Sequence, residues 1–358
     1  MNCYWKGSLA ALGGVVLAGV AGTGPVSAQD TITAASWGGA YSMSQREAYY
    51  KPALKDIGMT VLEDEWGGAV SEIRIQVETG DYKWEVLDAD VGTSLAACDE
   101  GLLEELDWDM LGGKDRFFPG SAFDCAVGTI SYGTIYAYNG DTYPDPATAP
   151  QTVADFFDFE KFPGKRAIYT GVSHTIEMAL MAAKGMTAVE AQAYYQENTD
   201  EAFAEATAFL EPNKDQLVYW ETGAMAPQLL ADGEVVMTTA WNGRIYNANV
   251  QEGKNFVIVW DGQKVDYDVW AIPAGHPNAE AGMKFIEYAS RPEVMARQSQ
   301  HIAYGPTTEE AAALIAPDVL KDLPTASANL TNAYWADAEW IADHIEDLEE
   351  RWAVWKAS

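Results

Sequence analysis

The spacing of apolar and polar positions changes repeatedly along the chain and divides it into alternating strands and helices. Residues 31–36 carry Thr, Ile and Ala and run into Ser36-Trp37-Gly38-Gly39, the pattern of a short strand stopped by a glycine pair. A helix is expected over residues 42–56, interrupted near Pro52, followed by a strand at 59–62. Gly67-Gly68 opens a helix through Val77, with Val70, Ile73 and Val77 at helical spacing. Residues 85–91 read as a third strand ending at Gly92. Strands and helices thus alternate from the start, as in a parallel α/β sheet.

Residues 129–139 differ, being apolar and nearly uncharged, like a buried strand. Residues 141–152, with three prolines and little periodicity, mark a crossover into a second lobe. That lobe opens with segments at 154–159 and 165–169. Helices are expected at 175–184, 187–196, 199–210 and 225–232, and strands at 235–239, 256–260 and 267–272. A helix over 278–300 is broken at Arg291-Pro292. Ile341, Ile345, Leu348, Trp352 and Trp355 then form one apolar stripe on a closing amphipathic helix packed across the body.

The first residues change the picture by placing the protein outside the cytoplasm. Lys6 is the only charge before Asp30, an apolar run spans residues 9–20, and Pro25-Val26-Ser27-Ala28 supplies small residues for cleavage after Ala28. This is the layout of a secretory signal over residues 1–28, too short in its apolar part to span a bilayer. Removing it leaves about 330 residues, beyond the size at which one core keeps growing, so two lobes are expected. Of the three cysteines, Cys3 falls in the signal. Cys98 and Cys125 remain, and in an oxidising compartment they are expected to pair as a disulfide.

Charge and motifs then narrow the function. With 54 acidic against 22 basic residues, the net charge of −32 repels nucleic acid and anionic membranes. A salty habitat accounts for such a surface without any ligand. The four histidines, His174, His276, His301 and His344, show no ligand spacing, so no metal site and no cofactor are expected. The chain has no Gly-x-Ser-x-Gly elbow, His-Glu-x-x-His pair, Walker lysine or dinucleotide glycine motif. Binding is favoured over catalysis.

A recurrent feature points to a ligand. An aromatic residue followed by a small or amide residue stands where strands end, in Ser36-Trp37-Gly38, Ala240-Trp241-Asn242-Gly243 and Ala303-Tyr304-Gly305. Loops after the carboxyl ends of strands face the ligand crevice in open α/β sheets. Aromatic faces there attract organic cations, and strand-end carboxylates such as Asp90 and Asp268 can pair with an ammonium.

These residues, in this order, resemble the periplasmic spermidine/putrescine-binding family of ABC-importer receptors. The resemblance runs through Trp37 to Tyr41, Glu100-Gly101-Leu102-Leu103-Glu104-Glu105-Leu106-Asp107, residues 135–139, Glu177-Met178-Ala179-Leu180 and Trp241-Asn242-Gly243. It continues through Ala271-Ile272-Pro273-Ala274, Arg291-Pro292-Glu293-Val294 and Tyr304-Gly305-Pro306-Thr307. It implies an α/β, two-lobed type II periplasmic-binding-protein fold, each lobe a mixed sheet flanked by helices. The lobes are expected at residues 29–137 plus 271–305, and 138–270 plus 306–358. The resemblance implies a monomeric periplasmic receptor that closes over a small organic solute and delivers it to a permease and its ATPase. Trp37, Tyr41, Trp241 and Tyr304 match aromatic ligand contacts, and Asp268 matches the carboxylate that grips an amine.

The sequence departs from that pattern in specificity. Gly171 and His174 stand where polyamine receptors keep acids, Asp266 replaces a tryptophan, and Asp90 replaces a small hydroxyl residue. Gly171-Val172-Ser173-His174-Thr175 begins a helix, and a helix start with hydroxyls and a histidine suits an anion. The expected ligand-binding residues are therefore Trp37, Tyr41, Asp90, His174, Trp241, Asp268 and Tyr304. Two ligands compete: a polyamine such as putrescine, or a zwitterion with its ammonium near Asp90 and Asp268 and its carboxylate near His174. An organic anion on the same fold, a ferric-ion receptor and a secreted enzyme are lesser alternatives.

Overall fold

The structure, a computed structural model, describes Met1 and residues 30–358. The expected signal segment and its cleavage after Ala28 lie outside the described residues.

Among the described residues, ten strands form one mixed sheet, flanked by helices. They are β1 (Thr31–Ser36), β2 (Thr60–Glu65), β3 (Val86–Asp90), β4 (Ala122–Phe123), β5 (Ala126–Asn139), β6 (Arg166–Tyr169), β7 (Leu217–Trp220), β8 (Met237–Trp241), β9 (Phe256–Ala271) and β10 (Ala333–Trp335). The main order is β2-β1-β3-β9-β5-β8-β6-β7, with β4 on β5 and β10 on β9. At one end β2, β1 and β3 are parallel; at the other β8, β6 and β7 are parallel. The antiparallel pair β5 and β9 joins the two sets.

This pairing explains where the apolar periodicity misleads. Residues 256–260 and 267–272 belong to one sixteen-residue strand, β9. The polar stretch around Asp261-Gly262 reads as a turn in sequence. In the fold, Gly262 takes φ 78° and the strand continues, because β5 runs beside it and the irregularity is taken up in the register shift between Thr134 and Tyr136, opposite Lys264 and Val259. Along β5 the outer partner changes: β9 pairs with β3 near Asp268, whereas β5 pairs with β8 from Thr134 onward.

The first helix also differs from its expected course. It begins at Gly39 and passes through a π-helical turn, Arg46–Tyr50, into Lys51–Ile57, where Pro52 occupies a first-turn position that tolerates it. The helix expected from Gly67 begins at Val70. A helix at Val91–Asp99 follows β3, capped by the Asp90 side chain, which accepts from the Thr93 N–H; its weakly periodic sequence does not announce it. The strands β7 and β10 are likewise unannounced, each being only three or four residues long.

Apolar residues collect on both sides of the joining strands. On the β1 side, Ile32, Val86, Trp270 and Phe285 pack together, joined by Ala311, Ile315 and Leu323. On the β6 side, Ile168, Leu180, Phe203 and Met237 pack with Leu348 and Trp352 of the closing helix, Ala338–Ala357. Cys98 and Cys125 form a disulfide that ties the helix Val91–Asp99 to the start of β5. Among the described residues, no helix is long and apolar enough to cross a membrane.

Candidate ligand-binding site

The carboxyl ends of strands from both parallel sets converge on one cavity of about 460 Å³. Trp37 follows β1, Asp90 ends β3, Tyr169 ends β6 and Trp241 ends β8, and all four line it. The local chain forces this arrangement. Gly38 takes φ 68° with ψ −179°, a conformation open to glycine alone, and turns the chain from β1 into its helix so that Trp37 is left at the rim. At the start of the helix Asn242–Glu252, a Cβ on Gly243 would stand 2.5 Å from the Tyr304 ring, so the missing side chain lets Tyr304 lie against the helix.

Tyr41, Tyr132, Tyr304, Trp37 and Trp241 form a continuous aromatic wall. Tyr41 and Tyr304 meet edge to face at 5.5 Å between centroids, Tyr132 lies 6.2 Å from Tyr304, and Trp37 lies 6.4 Å from Trp241. All five line the cavity. Their quadrupoles present negative faces suited to an organic cation.

The adjacent sheet face is acidic. Side chains alternate across a strand, so Asp88 and Asp90 share one face of β3 and Asp266 and Asp268 share one face of β9. Asp90 pairs directly with Asp268 in the ladder, which brings all four carboxyls to the same side. Asp90, Asp266 and Asp268 line the cavity, and Asp88 lies behind them, fully buried. Asp88 accepts from Trp37 Nε1 at 3.0 Å, Tyr41 Oη at 2.8 Å and Gln45 Nε2 at 2.5 Å. Asp268 stands on the same face of the neighbouring strand β9, close enough for the two carboxyls to influence each other's ionisation. Burial drives the Asp88 carboxyl up to about 7. Burial, then the neighbouring Asp88, Asp90 and Asp266, hold Asp268 well above the usual carboxylate range. Asp90 is partly committed as a helix cap, accepting from Thr93 N and Oγ1 at 2.9 and 2.7 Å.

Two cations face these acids. Lys264, on the same face of β9 as Asp266, reaches Asp266 at 3.2 Å and donates to Ser173 Oγ at 2.7 Å. Arg244 sits in the first turn of the helix Asn242–Glu252 and is almost wholly buried. Its guanidinium donates to the carbonyls of Gly38 at 2.7 Å and Trp37 at 3.3 Å, so it ties the β8 side of the cavity to the β1 side. It also stacks near Tyr41 and Trp241, at 5.9 and 5.8 Å from their centroids. Its Nε meets no acceptor, and among the described residues it makes no ion pair with a carboxylate.

Six of the seven expected residues, Trp37, Tyr41, Asp90, Trp241, Asp268 and Tyr304, line this cavity. His174 is not on its wall. It caps the helix Thr175–Lys184 with φ 71°, and its Nδ1 lies 3.1 Å from Tyr334 Oη, which does face the cavity. Burial, with Lys264 nearby, pushes the imidazole down to about 3, so it is neutral at physiological pH. The turn before this helix holds an anion that belongs to the protein: Val172 N donates to Glu349 Oε1 at 2.9 Å.

Sequence reasoning missed Arg244, Lys264 and Asp88. The signals were present: Arg244 follows Trp241-Asn242-Gly243 directly, and the alternation Asp88-x-Asp90 and Lys264-x-Asp266-x-Asp268 places charges on single strand faces. Among the described residues, no three His, Cys, Asp or Glu side chains come together as a metal site.

A mixed sheet with strand ends from two parallel sets around an aromatic, charged cavity defines a solute-receptor architecture. The chain belongs to the bacterial extracellular solute-binding protein family, whose model matches residues 47–328. It is a solute-binding component of an ABC transporter and not an enzyme. A γ-aminobutyric acid-binding protein of Pseudomonas aeruginosa is 38% identical over 328 residues, covering 91% of each chain. A crystal structure of the binding protein MotA from A. tumefaciens B6 in complex with glucopine superposes with a TM-score of 0.83 at 32% identity, covering 91% of this chain and 99% of that one. A spermidine/putrescine-binding periplasmic protein of Escherichia coli is 26% identical over 257 residues, 67% of this chain and 65% of the relative. The polyamine resemblance is thus to a distant branch of the relatives.

Proposed function

We propose that this protein is the periplasmic receptor of an importer for a small zwitterion of the γ-aminobutyrate type, with an ammonium and a carboxylate a few carbons apart. The observation that carries the reading is Arg244, a buried guanidinium without a carboxylate partner among the described residues, in a cavity whose other cation, Lys264, is already paired with Asp266. A guanidinium presents a planar fork of donors that matches a carboxylate. The aromatic wall with Asp268 receives the ammonium. The likeness to a γ-aminobutyric acid-binding protein supports the same ligand class.

A linear diamine suits this cavity less well. Its second ammonium meets the Arg244 charge, or carboxyls engaged elsewhere, Asp266 by Lys264 and Glu349 by Val172 N, or Glu177, whose Oε2 is unpartnered but which burial pushes toward its neutral form. The two sides of the cavity, joined within the sheet by β5 and β9, serve as lobes that close over the ligand. Closure is favoured by contacts that bridge the two sides, such as those of Arg244 with Trp37 and Gly38.

Calorimetric titration tests the reading with three solutes: γ-aminobutyrate, putrescine, and butyrate, which lacks the amine. γ-Aminobutyrate is expected to bind at least about a hundredfold more tightly than the other two, the cost of leaving a buried charge unpaired. Putrescine binding more tightly than γ-aminobutyrate would overturn it.

A further inference from the structure

Asp88 does not touch the cavity, yet everything around it is arranged to hold one negative charge there. A carboxylate offers about four acceptor positions. Trp37, Tyr41 and Gln45 donate into three of them, and the position left over lies on the sheet face shared with Asp268 of the adjacent strand. Two carboxyls can share a hydrogen bond there only when one carries a proton. The three neutral donors keep the charge on Asp88, so the proton belongs on Asp268, the partner that faces the ligand.

We propose that Asp88 acts through Asp268 as a specificity determinant: the pair holds one proton in the empty site and exchanges it for the ligand's ammonium. The balance is simple. Before binding, protonated Asp268 donates to the Asp88 carboxylate. The incoming ammonium makes its hydrogen bonds to Asp268, the Asp268 proton passes to solvent, and the pair's charge changes from one negative to two while the ligand brings one positive. The acidic end of the site keeps the same charge throughout, while the ligand's carboxylate offsets Arg244 at the other end, so neither end buries an uncompensated ion. An uncharged solute of the same shape cannot drive the exchange. The proposal rests on the reading of Asp268 as the ammonium partner.

The charged and titratable neighbours set the direction. From β3 Asp90, and from β9 Asp266, add negative potential to Asp268 and favour the proton or cation there. Lys264 is spent on Asp266. Tyr41 and Tyr49 from the first helix, Tyr132 from β5 and Tyr304 all stay protonated, because burial raises each of them. Arg244, from the helix after β8, faces Tyr304 and opposes the acids. The pair therefore loses its proton far above the ordinary carboxylate range, and ligand binding is weakened as pH falls below that point.

The test is calorimetry of γ-aminobutyrate binding to the full protein at pH 6.5, in phosphate and in imidazole buffers, followed by a pH series from 5.5 to 8.5. The solute's own groups do not titrate in that window. The expected result is a buffer-dependent enthalpy equivalent to about one proton released per ligand, with affinity rising about tenfold per pH unit in the acidic part of the series and levelling off above it. The variant Asp88→Asn leaves Asp268 without a carboxylate to share a proton with, and is expected to lose both the proton release and the slope. Binding with an enthalpy independent of buffer, in the wild-type protein, would overturn the exchange while leaving the ligand assignment intact. A slope kept by Asp88→Asn would remove Asp88 from the device. No binding of γ-aminobutyrate at all sinks the ligand assignment, and the exchange with it.

Discussion

At the scale of single residues, the site is decided by a few buried charges whose partners are incomplete. Arg244 makes two hydrogen bonds to carbonyls and none to a carboxylate. Arg244→Gln keeps hydrogen-bond donors but removes the charge, and is expected to weaken γ-aminobutyrate binding by about 2–5 kcal/mol, measured by calorimetry. Arg244→Lys keeps the charge without the fork and should fall between. His174 is predicted to be dispensable for direct ligand contact. His174→Asn retains a residue that accepts the left-handed conformation, so the variant is expected to bind within about threefold of wild type while losing some stability. A much larger loss of affinity would return His174 to the site.

At the scale of elements, long strands and tight helix starts carry the geometry. β9 crosses the whole sheet and brings Lys264, Asp266 and Asp268 to one face, an outcome of strand alternation over its sixteen residues. Gly243→Ala is expected to displace Tyr304 from the aromatic wall, because the new Cβ would lie 2.5 Å from its ring. Overpacking of this kind costs about 1–3 kcal/mol, and it should appear both as a lower unfolding midpoint and as weaker ligand binding. The Cys98–Cys125 disulfide closes a separation of 27 residues between the helix after β3 and β5. Replacing both cysteines with serine is expected to cost about 2–4 kcal/mol in denaturant unfolding, chiefly by freeing the unfolded chain. The loop contributes nothing to the cavity charges, so ligand affinity should change little.

At the scale of the whole molecule, the net charge of −32 sets the background against which the site operates. Surface ion pairs such as Arg46–Glu63 and Arg74–Glu100 offset little of it. Self-repulsion is screened by salt, so raising sodium chloride from 0.05 to 1 M is expected to raise the thermal midpoint of the ligand-free protein; a falling midpoint would contradict that account. The closing helix Ala338–Ala357 belongs to the same scale. Leu348 and Trp352 anchor it in the β6-side core, while Ile341 lies against Gly92 of the helix following β3. It therefore spans both sides of the cavity and supplies part of the wall.

The sequence alone determined the alternation of strands and helices, the pairing of Cys98 with Cys125, the aromatic residues at strand ends and the solute-receptor class. Those features are local: they follow from periodicity, turn residues and short motifs, which are written in consecutive positions. Only the tertiary structure decided which charges meet. Asp88 and Asp268 stand 180 positions apart in the chain and come to one face of the sheet because β3 and β9 pair antiparallel. Arg244 reaches the cavity from the helix after β8, which folds against the turn after β1, and His174 stays off the wall with its ring beside Tyr334. Charge pairing inside a cavity depends on burial and register between distant segments, and no window along the chain contains that information.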